Sequence, residues 1–410
     1  MPLDRRSFVA SAATLAASAA LRPSAALAAM PLRAPSGSDD PLGVRQDFPI
    51  VEKRIYLNSA YIAPVPRQVV AAGHAFLESK STQPLLVADF FRKNAEVRAQ
   101  FARVINASPD EIAFLYTTSE GENIVANTLD WARGDNVVID ELHYEAEFVI
   151  YRQLEKRRGV ELRIVAHRDG AVTAADIEPH MDNRTRLVSV AWVSHQNGYR
   201  HDMRPIADLA HAHGALFYTD AIQAVGMFPV DVRAAGVDFL CCGTYKWLLG
   251  GFGVAPFFIR REVLDRISPD RFGAFSVERE LPGYHFELHK TARQFDYATL
   301  PFAEVHQLGA GLAYLQRVGI ERIEEHTVSM GRRLQDGLGA QGHKLFTPQG
   351  NRSSIVTFFF KAPAAAVHAA LAAADIDVTV RDDQVRVSPA LFNTMDDVDR
   401  LLAVTGAIVR

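Results

Sequence analysis

Four short segments carry residue types that could do chemistry. Lys246 lies between the apolar run Phe239–Cys242 and the aromatic Tyr245 and Trp247. Apolar surroundings disfavour an ammonium, so this lysine is a candidate for a lowered pKa and for Schiff-base chemistry. The same sequence also suits a lysine that lays its stem on apolar surface and keeps its charge in water. Asp220 follows the apolar run Ala215–Tyr218. A buried carboxylate there needs a partner, and a protonated ring nitrogen would serve; a plain helix N-cap is the alternative. Gln223, three residues on, points the same way if a helical turn follows. Thr117-Thr118-Ser119-Glu120-Gly121-Glu122-Asn123 follows the run Ile112–Tyr116 and leads into a helical pattern. Hydroxyls and glycine at a helix N-terminus make an anion cradle; the same residues also make an ordinary cap. Ser194-His195-Gln196-Asn197-Gly198 reads as a polar turn in which His195 either meets a ligand or is structural.

The first three segments sharpen one another. A cradle, a carboxylate and a lysine, in that chain order, describe the needs of pyridoxal 5'-phosphate: phosphate, ring nitrogen and aldehyde in turn. The two cysteines, Cys241 and Cys242, are sequence neighbours, which disfavours an ordinary disulfide between them. Their apolar run makes buried core residues the better reading. No metal site is expected.

These residues need elements to position them. Short apolar runs recur at Ile112–Tyr116, Asn136–Ile139, Leu162–Val165, Leu187–Trp192, Ala215–Tyr218, Phe239–Cys242 and Val254–Ile259. Helix-period stretches such as Tyr144–Lys156 and Pro205–Ala212 lie between several of them. Continuous apolar strands separated by helices predict an α/β domain, a doubly wound, mostly parallel sheet covered on both faces. Ligands then bind beyond the carboxyl ends of the strands, where all four segments fall. Residues 68–106 read as helical. After about residue 295 a smaller α+β domain is expected, with helices near 301–317 and 320–340 and a strand at Ile355–Phe360. A helix at Ala364–Ala373, a hairpin of Ile376–Val380 with Gln384–Val387, and a terminal helix Met395–Val409 complete it.

The chain has 410 residues, 48% hydrophobic and 22% charged, which excludes disordered and fibrous classes. Its 44 basic and 48 acidic residues give a formal charge of −4 without a dense basic stripe, so no nucleic-acid partner is expected. At the N-terminus Arg5-Arg6 precedes an Ala-rich stretch, Val9–Leu21, and the small-x-small pattern Ala26-Leu27-Ala28. This order resembles a twin-arginine signal at 1–28 and predicts export to the periplasm. The stretch is shorter than the roughly 20 apolar residues that span a bilayer, so no stable membrane association is expected. Loss of 1–28 would take the charge from −4 to −6. The expected organisation is a linker at 29–48, a cofactor-binding large domain at 49–294 and a small domain at 295–410, with 49–66 able to pack on the small domain.

The stretch 201–254, the 26-residue step from Asp220 to Lys246, and Gln294-Phe295-Asp296-Tyr297-Ala298-Thr299 resemble the class V aminotransferase family of fold-type I pyridoxal phosphate enzymes. Val385-Arg386-Val387-Ser388-Pro389, Phe392-Asn393-Thr394 and Asp397-Val398-Asp399 extend the resemblance to the C-terminus. It looks nearest to the isopenicillin N epimerase-like group, related to the cysteine desulfurases. The resemblance implies that Lys246 binds the aldehyde and then moves protons at the substrate Cα. It implies that Asp220 holds the ring nitrogen, Gln223 the phenolic oxygen, and Thr118 and Ser119 the phosphate. Tyr144 is implied to stack on the ring, with His143 as the neighbouring candidate, and Gly243 and Tyr245 to touch the cofactor. Arg386 is implied to clamp the substrate carboxylate, and Thr299 to reach the phosphate of a second subunit in a homodimer with shared active sites.

Two departures stand out. Desulfurases carry a nucleophilic cysteine on the loop before the arginine matched by Arg386, and Ile376–Arg386 contains none. Tyr245 stands where the family carries histidine, and His195 where desulfurases carry asparagine. The expectation is an exported pyridoxal phosphate enzyme acting on an amino-acid or peptide-like amine, an aminotransferase in the first place. An epimerase or a C–S (β-elimination) lyase is the alternative within the enzyme class, and a non-catalytic binding protein on the same fold the alternative outside it.

Overall fold

The computed structural model describes residues 40–408. The signal expected at 1–28, and residues 29–39 of the expected linker, lie outside the described residues. Residues 40–48 pack against the protein: Val44 and Phe48 are buried, and Phe48 lies 4.7 Å from Phe392, centroid to centroid.

The strands are β1 (Ile55–Tyr56), β2 (Ile112–Leu115), β3 (Asn136–Asp140), β4 (Glu161–Val165), β5 (Thr185–Ala191), β6 (Leu216–Asp220) and β7 (Phe239–Cys241). β8 (Ala255–Ile259), β9 (Val277–Leu281), β10 (His285–Leu288), β11 (Val356–Phe359), β12 (Ile376–Asp377), β13 (Thr379–Arg381) and β14 (Gln384–Val387) follow. The longer helices are α1 (Arg67–Thr82), α2 (Val87–Val104), α3 (Thr118–Thr128), α4 (Glu145–Arg158), α5 (Met203–Ala212), α6 (Phe302–Val318), α7 (Ile320–Ala340), α8 (Ala364–Ala373) and α9 (Met395–Ile408).

The large sheet runs β2-β8-β7-β6-β5-β3-β4 and is parallel except for β8, which pairs antiparallel with both neighbours. Alternate residues of one strand enter two different apolar clusters. Val188, Val190 and Phe217 join α2, α5 and α6 on one face. Leu187, Leu216 and Tyr218 join α3 and α4 on the other. Both faces are therefore dry, which is why the strands read as continuous apolar runs. α5 buries Met203, Ile206, Ala207 and Ala210, a helical stripe facing the sheet. α4 ends at Gly159, whose φ of 70° makes a left-handed cap after three basic residues.

The rest of the chain adds a three-stranded antiparallel sheet, β11-β14-β13, backed by a cluster of α7, α8 and α9 residues. β1 pairs parallel with β12, and Ser59 donates to the Ser388 carbonyl, so residues 55–59 pack on the C-terminal portion.

Three elements differ from the sequence reading. The helical stretch expected over 68–106 is two helices, α1 and α2, interrupted around Pro84, which cannot supply the helical amide. The strand expected at Ile376–Val380 divides at Val378: β12 pairs with β1, and β13 forms the hairpin with β14. The hairpin β9–β10 had no period-2 signal because its residues are mostly exposed, so no buried face imposes one. Among the described residues no helix is long and apolar enough to cross a membrane.

Candidate functional site

The carboxyl ends of β2, β3, β5, β6 and β7 share one edge of the large sheet, and the chain leaving each supplies part of a single site. Asp220 is the last residue of β6; Cys241 pairs with it on β7, and Ala191 on β5. Lys246 lies in the loop five residues past Cys241.

Lys246 and Asp220 are both buried. Burial pushes the Lys246 ammonium down to about 8, against an upward pull from Asp220 and a downward push from Arg386. Burial pushes Asp220 up to about 6, opposed by the Ile222 amide that donates to Oδ1 at 2.9 Å and by Lys246. Each group registers the other's charge, so the two face one another across the site. At neutral pH the lysine is within reach of losing its proton.

Gln223 follows on the turn after β6. Its Nε2 donates to the Ala60 carbonyl at 2.9 Å, and its Oε1 accepts from Trp247 Nε1 at 2.7 Å. The side chain is thereby fixed between the N-terminal segment and the residue after Lys246. Gly226 makes this close approach possible: its φ is 95°, and a Cβ there would lie 2.4 Å from the Trp247 carbonyl.

At the start of α3 the hydroxyls divide between a cap and a tie to the Lys246 loop. Thr117 is the cap, its Oγ1 accepting from Glu120 N–H. Thr118 Oγ1 accepts from Gly243 N–H at 2.8 Å, which ties the helix start to the Lys246 loop. Ser119 is half-buried beside it. A Cβ at Gly243 would lie 3.2 Å from Thr118 Oγ1 and 3.0 Å from Ile222 Cδ1, so this corner is tight and a side chain there would push its neighbours aside. Backbone and hydroxyl donors thus meet the helix N-terminus where an anion would sit.

Tyr144 and His143 separate clearly. His143 is fully buried and turned inward, with Nε2 3.0 Å from Ser189 Oγ and Nδ1 accepting from Tyr144 N–H. Tyr144, the N-cap of α4, is 44% exposed and meets the His195 ring edge-on at 5.2 Å. Of the two, Tyr144 is the one open to the site. Tyr245 stacks on Phe252 with centroids 4.5 Å apart, and Lys246 Nζ lies 5.8 Å from its ring.

Arg386, on β14, is buried and directed into this edge. Nη1 donates to the His195 carbonyl at 2.6 Å and Nη2 to Thr379 Oγ1 at 3.2 Å, while Nε is buried with no partner. Burial and nearby Arg381 push its guanidinium down to about 10. A buried arginine with an unanswered donor suits a carboxylate ligand. Thr299 is exposed, and its carbonyl accepts from the Tyr116 hydroxyl at 2.9 Å.

Cys241 and Cys242 are free, buried thiols, and burial raises both well above the ordinary range.

Sequence reasoning missed four contributors. Glu145 sits 3.2 Å from His195 Nε2; burial pushes its carboxyl up, but His195, a backbone amide and Arg381 together bring it down to about 2. Thr379, Ala60 and Trp247 hold Arg386 and Gln223. Glu145 could have been found as an acid beside Tyr144 at a strand end; Thr379 and Ala60 act through partners remote in sequence and gave no signal, and Trp247, visible as an aromatic neighbour of Lys246, gave none for its bond to Gln223.

The donor set fits pyridoxal phosphate: a lysine of lowered proton affinity, a carboxylate behind it, a helix N-terminus with free hydroxyls, and a buried arginine. Comparisons with known proteins follow the same line. A family model described as aminotransferase class-V matches residues 55–401. A probable cysteine desulfurase of Methanothermobacter thermautotrophicus is 35% identical over 297 residues, 71% of this chain and 74% of the relative. The apo structure of a cysteine desulfurase from Thermococcus onnurineus NA1 superposes with a TM-score of 0.83 at 25% identity, covering 90% of this chain and 98% of its own. A cystine C–S lyase in complex with its product cysteine persulfide superposes with a TM-score of 0.82 at 20% identity, covering 88% of this chain and all of its own.

Proposed function

The chain belongs to the aminotransferase class-V family, a pyridoxal 5'-phosphate enzyme of fold type I, and from that premise we infer that it is an aminotransferase acting on an amino-acid or peptide-like amine. The observation that carries the reading is the convergence of Lys246, Asp220 and Arg386 at one sheet edge. Bound pyridoxal phosphate supplies an aldehyde for the substrate amine and a cationic ring that draws electron density from the substrate Cα. Thr118, Ser119 and the α3 amides hold the phosphate. Asp220 would accept from the ring nitrogen, and Gln223 would offer its remaining N–H to the phenolic oxygen. Tyr144 would cover one face of the ring. Arg386 takes the substrate carboxylate in a bidentate pair, which fixes the Cα–H direction. Lys246, neutral above about pH 8, would hold the aldehyde, and its Nζ would be the base that moves the proton at the substrate Cα.

The relatives' desulfurase activity does not transfer directly. A persulfide-forming mechanism needs an ionisable thiol at the substrate sulfur, and burial keeps both cysteines of this chain protonated. β-Elimination at a C–S bond needs no enzyme thiol, which makes a lyase the second reading. An epimerase is the third.

Holoprotein incubated with a panel of amino acids and a 2-oxo acid separates them. The expected outcome is a new amino acid formed from the oxo acid and abolished in Lys246→Ala. Release of pyruvate and ammonia would instead establish the lyase, and inversion at Cα without either the epimerase. A protein that binds the cofactor and does none of these would be the binding module.

Two further parts belong to the same proposal. Arg5-Arg6 with Ala26-Leu27-Ala28 supports export by the twin-arginine route, which cell fractionation tests with Arg5→Lys/Arg6→Lys as the retained control. The exposed Thr299 supports a homodimer with shared sites, which sedimentation of the holoprotein tests.

A further inference from the structure

Beneath Asp220, on the face of the large sheet covered by α3 and α4, lies a group of buried acids that the reaction above does not use. Glu122 of α3 and Glu147 of α4 are both buried, and each acts on the other's proton affinity. Oε2 of each is buried and has no hydrogen-bond partner, which leaves one unanswered oxygen on either carboxyl for a shared proton. Tyr151 and Ser189 hydroxyls both donate to Glu122 Oε1. Among the described residues no lysine or arginine pairs with either carboxylate. The nearest basic group is His143, whose Nε2 is 3.9 Å from Glu122 Oε2, and burial holds that imidazole down to about 4 and therefore neutral.

The groups facing the pair can be named element by element. α4 contributes Tyr151; β5 contributes Ser189; β6 contributes Tyr218 and Asp220; β7 contributes Cys241; and His143 comes from the turn before α4. β2 and β8 present no titratable side chain. None of these is a cation at neutral pH. Two adjacent buried carboxylates without a cation cannot both ionise, because the second charge meets both desolvation and repulsion from the first. Burial raises Glu122 to about 7, with Asp220 adding to it and the contacts to Glu147, Ser189 and Tyr151 opposing it; burial and the charge of Glu122 raise Glu147 well above the ordinary carboxylate range.

The hydrogen bonds settle which group keeps the proton. Glu122 already accepts two hydroxyl donors, which suits the anion, so Glu147 is the acid. Because the Ser189 proton goes to Glu122, Ser189 Oγ accepts from His143 Nε2–H, and His143 Nδ1 accepts from Tyr144 N–H at 2.9 Å. The chain of donors ends on the backbone of the residue that covers the cofactor.

We propose that Glu122 and Glu147 share one proton and act as positioning residues, holding a single negative charge under Asp220 that keeps the ring nitrogen of bound pyridoxal phosphate protonated into the alkaline range. The inference rests on the cofactor assignment and on no particular reaction. An anion beneath Asp220 makes that carboxylate a stronger acceptor, and loss of the ring proton would leave Asp220 and Glu122 as two facing charges.

The test is the nitrogen-15 NMR signal of holoprotein carrying ring-labelled pyridoxal phosphate, followed between about pH 7 and about pH 10. Glu147→Gln offers Glu122 an amide N–H in place of the acid proton and keeps the single charge; it is expected to titrate as the native protein. Glu122→Gln/Glu147→Gln removes the charge, and its ring proton is expected to leave about one pH unit lower or more. A double variant that titrates as the native protein, or a Glu147→Gln protein displaced as far as the double variant, would overturn the proposal. The infrared spectrum gives a second reading that needs only the Glu147→Gln protein. Near pH 9 the native protein is expected to show a buried carboxylic-acid C=O band that Glu147→Gln lacks, and its absence from the native protein would also overturn it. Cofactor binding is followed separately by absorption, so a holoprotein that transfers no amino group still reports on Glu122 and Glu147.

Discussion

Lys246 is legible as a reactive residue because the apolar run before it and the aromatic residues around it announce burial. Its proton affinity was not legible, since that depends on Asp220 and Arg386, which reach it from β6 and β14. The lowered value has a sign that can be checked. A free lysine is neutral only above about 10.5, whereas this one sheds its proton around pH 8. Capture of pyridoxal phosphate by the apoprotein needs the neutral amine. Its rate is therefore expected to rise as pH increases to about 8 and then to level off, as measured by stopped-flow absorption. A rate still climbing beyond about pH 10 would show an unperturbed lysine. Tyr144 and His143 teach the complementary lesson. One residue apart, they could not be told apart by spacing, and burial decided between them: His143 went to Ser189, and Tyr144 stayed at the surface of the site.

At the scale of elements, the strands of the large sheet were read to within one or two residues at their ends, because both faces are covered and nearly every residue outside the edge strand β4 is buried. The β9–β10 hairpin escaped for the opposite reason. The break between α1 and α2 depended on Pro84, whose effect a helical pattern on either side concealed. The turn that follows β6 is the element on which the site depends most. Gly226 lets it lie against the Trp247 carbonyl, and Trp247 in turn holds Gln223. Gly226→Ala adds a Cβ to a left-handed residue and drives it into backbone, so a destabilisation of about 1–3 kcal/mol is expected. Thermal unfolding of the apoprotein should show a lower Tm, and the affinity for pyridoxal phosphate should fall more than the Tm change alone would cause. An unchanged Tm would mean that the turn can move away from Trp247.

For the molecule as a whole, the beginning and end of the described chain meet. Arg45 donates to both oxygens of Asp397, at 2.7 and 3.0 Å, and to the Phe392 carbonyl at 2.9 Å. Asp397 is buried and retains Asn393 and the Thr394 amide as donors. Arg45→Ala therefore removes the charge partner while leaving part of the hydrogen bonding, and a loss of about 2–4 kcal/mol is expected in urea unfolding. Asp397→Asn/Arg45→Ala should recover part of that loss, because no buried charge remains. If the single variant is as stable as the native protein, residues 40–48 contribute nothing to holding α9.

The sequence by itself determined the sheet, the order of its strands along the chain and the three segments that make a pyridoxal phosphate site. Local patterns fix these: an apolar run reports a covered strand, and a polar residue just past it reports the ligand edge. Only the tertiary structure decided how those segments meet. Arg386 reaches the edge because β14 lies between β11 and β13 and hands its guanidinium to the His195 carbonyl. Gln223 is fixed because Ala60 and Trp247 flank it. Glu122 and Glu147 became a pair because α3 and α4 bury them together. Contacts between separate elements leave no period in the chain; they exist only once packing has brought those elements together, and with them come the proton affinities on which the chemistry turns.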